Sequence, residues 1–386
     1  MIIVKFIHTA DWHLGKMVHG LHMTEDQSYI LQQFLNIVKQ EKPDAVIVAG
    51  DLYDRAIPPK EAVDLLDNIF TSISKKFEIP LIAISGNHDS PNRLRFGSSL
   101  FRKHQLHLTT HLEEAFTPIR IGTSETAHIY TIPYTEPFEA RQYFEDDTIT
   151  THQQAMERII NEITNKMDYS AINILVSHAF IRGGTETDSE EQLTMVGNTP
   201  SIDSRLFQPF DYIALGHLHR SQYVDDEKIR YSGSILKYSF SEAKDTKSVT
   251  VVDVSKAEKK IKQIPLQPKR DLKWISGYFD EIITGSILPP TEDYIGIELL
   301  DDGQLIDPVS KLRTIYPNLL HLEKRTMKND NRTTEQESIR KKREMSHEEL
   351  FAAFYNDIKG QAISTERKKI IQEVTERLMH EEREID

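Results

Sequence analysis

The 386 residues indicate two to three domains, at about 150 residues per domain, and 38% of them are hydrophobic, which suffices for a buried core. The absence of cysteine excludes disulfide bonds, thiolate metal sites and a thiol nucleophile. The formal net charge of −13 disfavours non-specific nucleic-acid binding, which depends on cations that neutralise phosphates. Without a signal peptide or an apolar run near about 18 residues, we expect a cytoplasmic protein with no membrane contact.

Short apolar runs rich in β-branched residues are typical of buried central strands. They cover residues 2–7, 45–49, 81–85, 172–177 and 212–215. Apolar positions at helical spacing predict amphipathic helices over residues 25–41, 60–77 and 153–167. This alternation predicts an α/β core with sheets covered by helices, and residues 229–254 are expected to form β-hairpins that close it.

A second small unit is predicted after a linker-like stretch at residues 265–270. Over residues 271–325 the expected order is strand, helix, strand, helix, strand, at 274–276, 278–283, 294–300, 309–315 and 319–323. This βαβαβ order predicts a compact two-layer domain. The first domain would then span residues 1–265 and the second 271–325.

The last part of the chain consists of a polar segment followed by a segment with helical apolar stripes. Residues 326–345 are almost entirely polar and are predicted to form a flexible linker. Residues 346–386 show two helical apolar stripes, which short helices beyond such a linker cannot bury by themselves. They either pack back on the main body or dock into a partner, and we favour the partner.

Acidic, amide and imidazole side chains follow each of the five predicted strands. They are Asp11 and His13; Asp51 and Asp54; Asn87, His88 and Asp89; His178; and His217 and His219. Because ligands of open α/β sheets bind at the carboxyl ends of the strands, these distant residues can converge. Carboxylates and imidazoles suit manganese, iron and zinc, and so many donors fit two ions that share a bridging carboxylate.

In order, these blocks read D-x-H, G-D-x-x-D, G-N-H-D, a lone His and G-H-x-H over residues 11–219, which resembles the calcineurin-like metallophosphoesterase superfamily. The resemblance implies a four-layer α/β/β/α sandwich with a small α+β capping domain and a C-terminal helical tail. It also implies two metal ions with a shared ligand: Asp11, His13 and His219 for the first, Asn87, His178 and His217 for the second, and Asp51 between them.

The same resemblance gives two residues a role without metal ligation. His88 would face the scissile phosphate and protonate the leaving oxygen or stabilise transition-state charge, and Asp54 would orient His88 or a ligand. His8, inside the first strand, is expected to be a buried hydrogen-bonded residue. Asp89 is the weaker candidate beside Asn87 for a ligand position.

Two branches of the superfamily fit the chain less well. It lacks the R-G-N-H-E block of phosphoprotein phosphatases, and it has Asp54 where purple acid phosphatases have a Tyr three residues after the Asp of the second block. Residues 8–15, 50–54, 86–90, 216–219, 231–234 and 240–242 resemble the SbcD family of nuclease subunits. The resemblance implies a manganese-dependent DNA exonuclease and endonuclease, although zinc or iron would also fit the donors. It also implies a homodimer within a heterotetramer, whose C-terminal helices bind an SbcC-type ATPase that gates access of duplex DNA.

Arg93 and Arg95, just after the third block, are candidate DNA phosphate contacts. The implied processes are DNA repair, replication and recombination at the nucleoid. Two other classes of protein stay open: a phosphatase or phosphodiesterase acting on a small ester, and a non-catalytic scaffold. The intact ligand set and His88 argue against a scaffold.

Overall fold

The computed structural model describes residues 3–122, 127–190, 201–303, 305–325, 351–352, 355, 363–364 and 367–374. The strands in these ranges are β1 Val4–Thr9, β2 Met17–Val18, β3 Leu21–His22, β4 Ala45–Ala49, β5 Leu81–Ile84, β6 Leu106–Thr109, β7 Ile119–Ile121, β8 Ala127–Ile132, β9 Ile172–His178, β10 Tyr212–Gly216, β11 Gln222–Val224, β12 Asp226–Tyr231, β13 Ser248–Val254, β14 Lys259–Pro265, β15 Leu272–Gly277, β16 Tyr294–Leu299 and β17 Leu319–Lys324. The α-helices are α1 Thr24–Glu41, α2 Lys60–Thr71, α3 Pro91–Arg95, α4 Ser98–Phe101, α5 Pro137–Phe144, α6 His152–Thr164, α7 Phe279–Ile283 and α8 Pro308–Arg313.

The first sheet has the strand order β14-β13-β1-β4-β5-β6. Strands β1, β4, β5 and β6 are parallel to one another. At one edge of the sheet, β13 pairs antiparallel with β1, and β14 pairs antiparallel with β13. Helices α1 and α2 cover its outer face with the apolar stripes that the sequence predicted, for example Phe34, Val38 and Ile69. These side chains are almost fully buried, so the stripe is what holds each helix on the sheet.

The second sheet has the order β11-β12-β10-β9-β8-β7, with β8, β9, β10 and β12 parallel. Helix α6 covers its outer face through Met156, Ile159 and Ile163. The inner faces of both sheets meet in a third apolar cluster that includes Ile47 and Val176. The result is four layers, helix, sheet, sheet and helix, which confirms the predicted fold class.

Residues 272–324 form a separate three-stranded parallel sheet with the order β15-β16-β17. Helices α7 and α8 pack on it around their own apolar cluster, which includes Ile282, Ile297 and Leu312. The predicted βαβαβ order is confirmed. Buried Asp26 of α1 connects this unit to the first one, since it binds Arg270 at 2.9 Å and the Tyr294 hydroxyl at 2.7 Å.

Three expectations differ from the structure. Residues 229–254 do not pair with each other: β12 and β13 lie in different sheets, and their hairpin partners are β11 and β14. The predicted helix over residues 60–77 is α-helical to Thr71 and continues as a π-helix over Ser72–Lys76. Strands β6, β7 and β8 were not anticipated, although all six residues of β8 are buried.

The predicted linker at 326–345 lies outside the described residues, as does most of the segment 346–386. Within that segment residues 367–374 are helical, and the side chains of Ile370 and Val374 are exposed. None of the helices in the described ranges combines the length and the apolar character that crossing a bilayer requires.

Candidate metal centre

The carboxyl ends of five strands meet at one edge of the two sheets. Asp11 follows β1, Asp51 follows β4 and Asn87 follows β5, whereas His178 ends β9 and His217 follows β10. Asp11, Asp51 and His217 have positive φ angles of 54°, 49° and 104°, so the chain turns sharply as it leaves each strand. The turns direct short polar side chains into a buried space between the sheets.

Asp51 lies at the middle of this space and is almost completely buried. Its Oδ2 atom is 3.4 Å from His13 Nε2 and 3.4 Å from His178 Nε2. Its other oxygen, Oδ1, accepts the backbone N–H of His88 at 3.0 Å. One carboxylate oxygen therefore faces imidazoles from both predicted ligand sets, while the other is held by the main chain.

The structure brings the residues of the first predicted ligand set close together. Side-chain donor atoms of Asp11, His13 and His219 lie within 4.8 Å of one another, and the two Nε2 atoms of the imidazoles are 2.9 Å apart. Asp11 Oδ1 accepts the backbone N–H of His217 at 2.9 Å. Asp11 Oδ2 is buried and has no hydrogen-bond partner among the described residues.

The second ligand set is arranged around His178. Its Nδ1 atom donates to the carbonyl oxygen of Ala49 at 2.9 Å, so Nε2 points to Asn87 Oδ1 at 3.0 Å. The ring of His217 packs edge-on against the His178 ring, with 5.4 Å between centroids. Donor atoms of Asp11, Asp51 and His178 also lie within 4.8 Å of one another.

His88 and Asp54 lie next to the predicted metal ligands His13 and Asp51. His88 Nδ1 donates to the carbonyl oxygen of Asp54 at 2.9 Å, and a ring nitrogen of His88 lies within 4.8 Å of donor atoms of His13 and Asp51. The Asp54 carboxylate binds Lys16 at 2.7 Å and lies 3.4 Å from His13 Nδ1. Asp54 thus contacts His88 through its main chain and His13 through its side chain.

Burial keeps three of the imidazoles neutral. It lowers the pKa of His13 to about 4 and of His217 to about 3, and it lowers the pKa of His219 well below its ordinary value. A neutral imidazole offers a lone pair to a cation, so these rings are in the protonation state that metal ligation needs.

The carboxylates and His178 compensate one another. Burial would lower the pKa of His178, but the carboxylates of Asp51 and Asp11 raise it to about 9. Burial opposes the ionisation of Asp51, yet the imidazoles around it hold the pKa of Asp51 well below its usual range. In the metal-free chain, the Asp51 carboxylate and the His178 imidazole therefore stabilise each other's charged forms.

The donor set fits two divalent cations. It combines imidazoles, carboxylates and an amide oxygen, and it leaves the buried oxygen Asp11 Oδ2 without a partner in the described chain. The space is also kept open by glycine, because a Cβ on Gly86 would lie 2.0 Å from Asp51 Oδ1. These residues can hold divalent metal ions.

The roles of three residues around the centre, Asp89, Ser189 and Glu242, were not predicted from the sequence. Asp89 is not turned toward the ligands, because its carboxylate accepts the backbone N–H groups of Leu52, Tyr53 and Gly86 at 2.9–3.0 Å. It shapes the loop that carries Asp51. Ser189 and Glu242 lie behind His219, and no local pattern links these two residues to it.

Other expectations concern residues around the centre. Arg93 and Arg95 are exposed on α3, and Arg95 lies 3.4 Å from Glu113. His8 is buried, with its ring nitrogens at 3.1 Å from the Tyr212 hydroxyl and from the Leu215 carbonyl, which confirms the hydrogen-bonded role.

Two models of known protein families match consecutive parts of the chain. Residues 4–221 match the family model of the calcineurin-like phosphoesterases. Residues 268–358 match the SbcD_C model, described as the type 5 capsule protein repressor C-terminal domain.

Two solved structures are similar to about two thirds of the chain. The protein TT1561 of Thermus thermophilus is 13% identical, covers 68% of this chain and 99% of its own, and has a TM-score of 0.40. A dimetal phosphatase from Danio rerio is 10% identical, covers 68% of this chain and 96% of its own, and has a TM-score of 0.43. With a family match over more than half of its length and the second match beyond it, the chain belongs to the calcineurin-like phosphoesterases, a family of metal-dependent phosphoester hydrolases, and is of the SbcD type.

Proposed function

We propose that the chain is the manganese-dependent DNA nuclease subunit of an SbcCD-type complex. It cuts duplex ends as an exonuclease and single strands and hairpins as an endonuclease, in DNA repair, replication and recombination in the cytoplasm at the nucleoid. The observation that carries this proposal is the centre shared by the two ligand sets. In it, Asp51 Oδ2 lies 3.4 Å from the Nε2 atoms of His13 and His178, and a ring nitrogen of His88 lies within 4.8 Å of ligand atoms of His13 and Asp51.

Seven residues would hold the two ions. Asp11, His13 and His219 would bind the first, Asn87, His178 and His217 the second, and Asp51 both. When bound, the ions would activate the attacking water and neutralise charge on the phosphodiester. Manganese is the proposed metal, and the same donors also suit zinc or iron.

The residues beside the ligands would handle the leaving group. Water attacks phosphorus in line, the P–O3′ bond breaks, and His88 gives a proton to the departing oxygen, which leaves a 3′-hydroxyl and a 5′-phosphate. The hydrogen bond from His88 Nδ1 to the Asp54 carbonyl orients the other ring nitrogen for this transfer. Lys16, bound to Asp54 at 2.7 Å, helps to hold that loop.

The second unit, residues 271–325, supports DNA rather than a small ester as the substrate. The ring of Tyr238 lies 5.8 Å from that of His13, and Phe240, two residues later, lies 5.4 Å from Trp274 of the second unit. The unit is thus joined to the metal centre through one short segment. A long substrate can contact both the metal centre and the second unit. We therefore assign the second unit the role of a capping domain that contacts DNA, and we assign Arg93 and Arg95 as phosphate contacts on the first domain.

Exposed apolar side chains support the two proposed protein partners. Phe96 is 86% exposed and Leu100 is 64% exposed beside the metal-centre loop, and a second copy of the chain would cover them in a homodimer. In the tail, Phe351, Ile370 and Val374 are exposed. They support the segment 346–386 as the docking site of an SbcC-type ATPase, which would gate access of duplex DNA within a heterotetramer.

The test compares two substrates in manganese buffer, a hairpin-ended or single-stranded DNA and a small aryl phosphodiester. The wild-type chain should cut the DNA, and His88→Ala should lose most of this cleavage, by about 10²–10⁴-fold, while it keeps its bound manganese. His104→Ala, an exposed histidine away from the centre, is the matched control. Turnover of the aryl ester with intact DNA would instead identify a small-ester phosphodiesterase.

A further inference from the structure

A chain of hydrogen bonds lies behind His219. Its Nδ1 atom is 2.6 Å from the hydroxyl of Ser189, and that hydroxyl is 2.6 Å from Glu242 Oε1. The Glu242 carboxylate in turn forms an ion pair with the ammonium of Lys247. Because an ionised carboxylate can only accept, the Ser189 hydroxyl donates to Glu242 and accepts the Nδ1–H of His219.

This direction of the hydrogen bonds determines the tautomer of His219. With the proton on Nδ1, the lone pair is on Nε2, and Nε2 is the atom that lies 2.9 Å from His13 Nε2 inside the centre. A ring nitrogen that donates to an outer group is the usual arrangement for a histidine that binds a metal. Here the outer group is a hydroxyl supplied by a distant segment.

The outer end of the chain is buried and well bonded. Glu242 is completely buried, and its Oε1 atom also accepts the backbone N–H groups of Tyr238 and Ser239 at 3.1 and 3.0 Å. Lys247 donates to the carbonyl oxygen of His219 itself at 2.7 Å. A buried carboxylate and ammonium with this many partners hold the hydroxyl between them in one place.

The segment that carries Ser189 also binds the main chain of the ligand. Glu190 Oε1 accepts the backbone N–H of His219 at 2.7 Å. Asp188 donates its backbone N–H to the hydroxyl of Ser241 at 2.9 Å, which joins the segment to the Glu242 turn. His219 is therefore held both at its ring and at its backbone by residues 188–190.

The second ligand set is built differently. His178 Nδ1 donates to the main-chain carbonyl of Ala49, which no side-chain substitution removes. The side chain that orients His219 can be removed, whereas the group that orients His178 cannot. A substitution at Ser189 should consequently affect one ion and leave the other.

We propose that Ser189, held by Glu242 and Lys247, is a positioning residue that sets the tautomer and direction of His219 and thereby the affinity of the Asp11–His13–His219 site for its cation. The inference rests on the metal-dependent chemistry of the proposed function. It concerns the metal site alone, so it does not depend on DNA being the substrate.

Titration of the metal-free full chain with manganese chloride, by calorimetry and by electron paramagnetic resonance of free Mn²⁺, tests the proposal. Ser189→Ala should weaken one of two binding events by about 10–100-fold and leave the other unchanged. Ser189→Thr, which keeps the hydroxyl, should restore wild-type affinity. Ser170→Ala, an exposed serine whose hydroxyl binds Asp168 and does not touch residues 188–190, is the matched control.

A structural effect would look different. If Ser189 only stabilised the fold, Ser189→Ala would lower the melting temperature of the metal-free chain, and both binding events would weaken together. Wild-type manganese affinity in Ser189→Ala, or equal losses in Ser170→Ala, would overturn the proposal. Selective loss at one site would support it even if the wild-type chain left DNA uncut, a result that would refute the nuclease proposal alone.

Discussion

Gly216, the last residue of β10, packs against the end of β4 in the other sheet, beside His178 of the metal centre. A Cβ at this position would lie 1.8 Å from the carbonyl oxygen of Ala49 and 2.8 Å from His178 Nδ1. Carbon and oxygen atoms in ordinary contact are about 3.4 Å apart, so Gly216→Ala requires β10 and β4 to separate by about 1.5 Å. That shift breaks the hydrogen bond between His178 and Ala49, which orients His178.

The expected consequences differ in size. Overpacking of this kind costs about 1–3 kcal/mol, which lowers the melting temperature of a domain of this size by about 2–12 °C. Metal binding should suffer more, because functional sites tolerate displacements of only about 0.5 Å. We therefore expect Gly216→Ala to fold but to lose high-affinity manganese binding and cleavage.

The assay is thermal unfolding and manganese titration of Gly216→Ala beside Gly303→Ala. Gly303 is the matched control, since a Cβ there would meet no atom within 4 Å. It should change stability by no more than about 0.5 kcal/mol. Wild-type manganese affinity and melting temperature in Gly216→Ala would refute the reasoning.

Three further predictions concern stability, assembly and the partner. Burial lowers the pKa of His8 to about 3, so only the unfolded chain binds this proton, and the free energy of unfolding should fall as pH drops below about 6.5, by up to about 1.4 kcal/mol per unit. His8→Gln should remove the contribution of this proton to the pH dependence of the free energy of unfolding, measured by urea titration of the metal-free chain between pH 5 and 7. The same pH dependence in the wild-type and His8→Gln chains would contradict this. Phe96→Glu with Leu100→Glu should convert the proposed dimer to monomer in light scattering, whereas Ile306→Glu, also highly exposed, should not. A dimer that survives the double change would exclude this surface. Deletion of residues 346–386 should abolish capture of the proposed SbcC-type ATPase and preserve single-strand cleavage, and unchanged capture would disprove docking through the tail.

Much of the architecture could be predicted because its signals are local. Buried parallel strands are continuous apolar runs, and helices on a sheet carry an apolar stripe, so β1, β4, β5, β9 and β10 and the covering helices were found close to their observed bounds. The βαβαβ unit was found for the same reason. Strand β8 was missed because His128 and Thr131 interrupt the apolar run that marked the other buried strands.

The amino-acid sequence by itself determined which residue types end the strands, and the carboxyl ends of parallel strands must share an edge. Only the tertiary structure decided that Asp89 binds backbone N–H groups and that Ser189 and Glu242 meet behind His219. It also decided that β12 and β13 join different sheets. These outcomes depend on the packing of segments tens to hundreds of residues apart, and no local periodicity or turn signal records which distant groups will share one buried space.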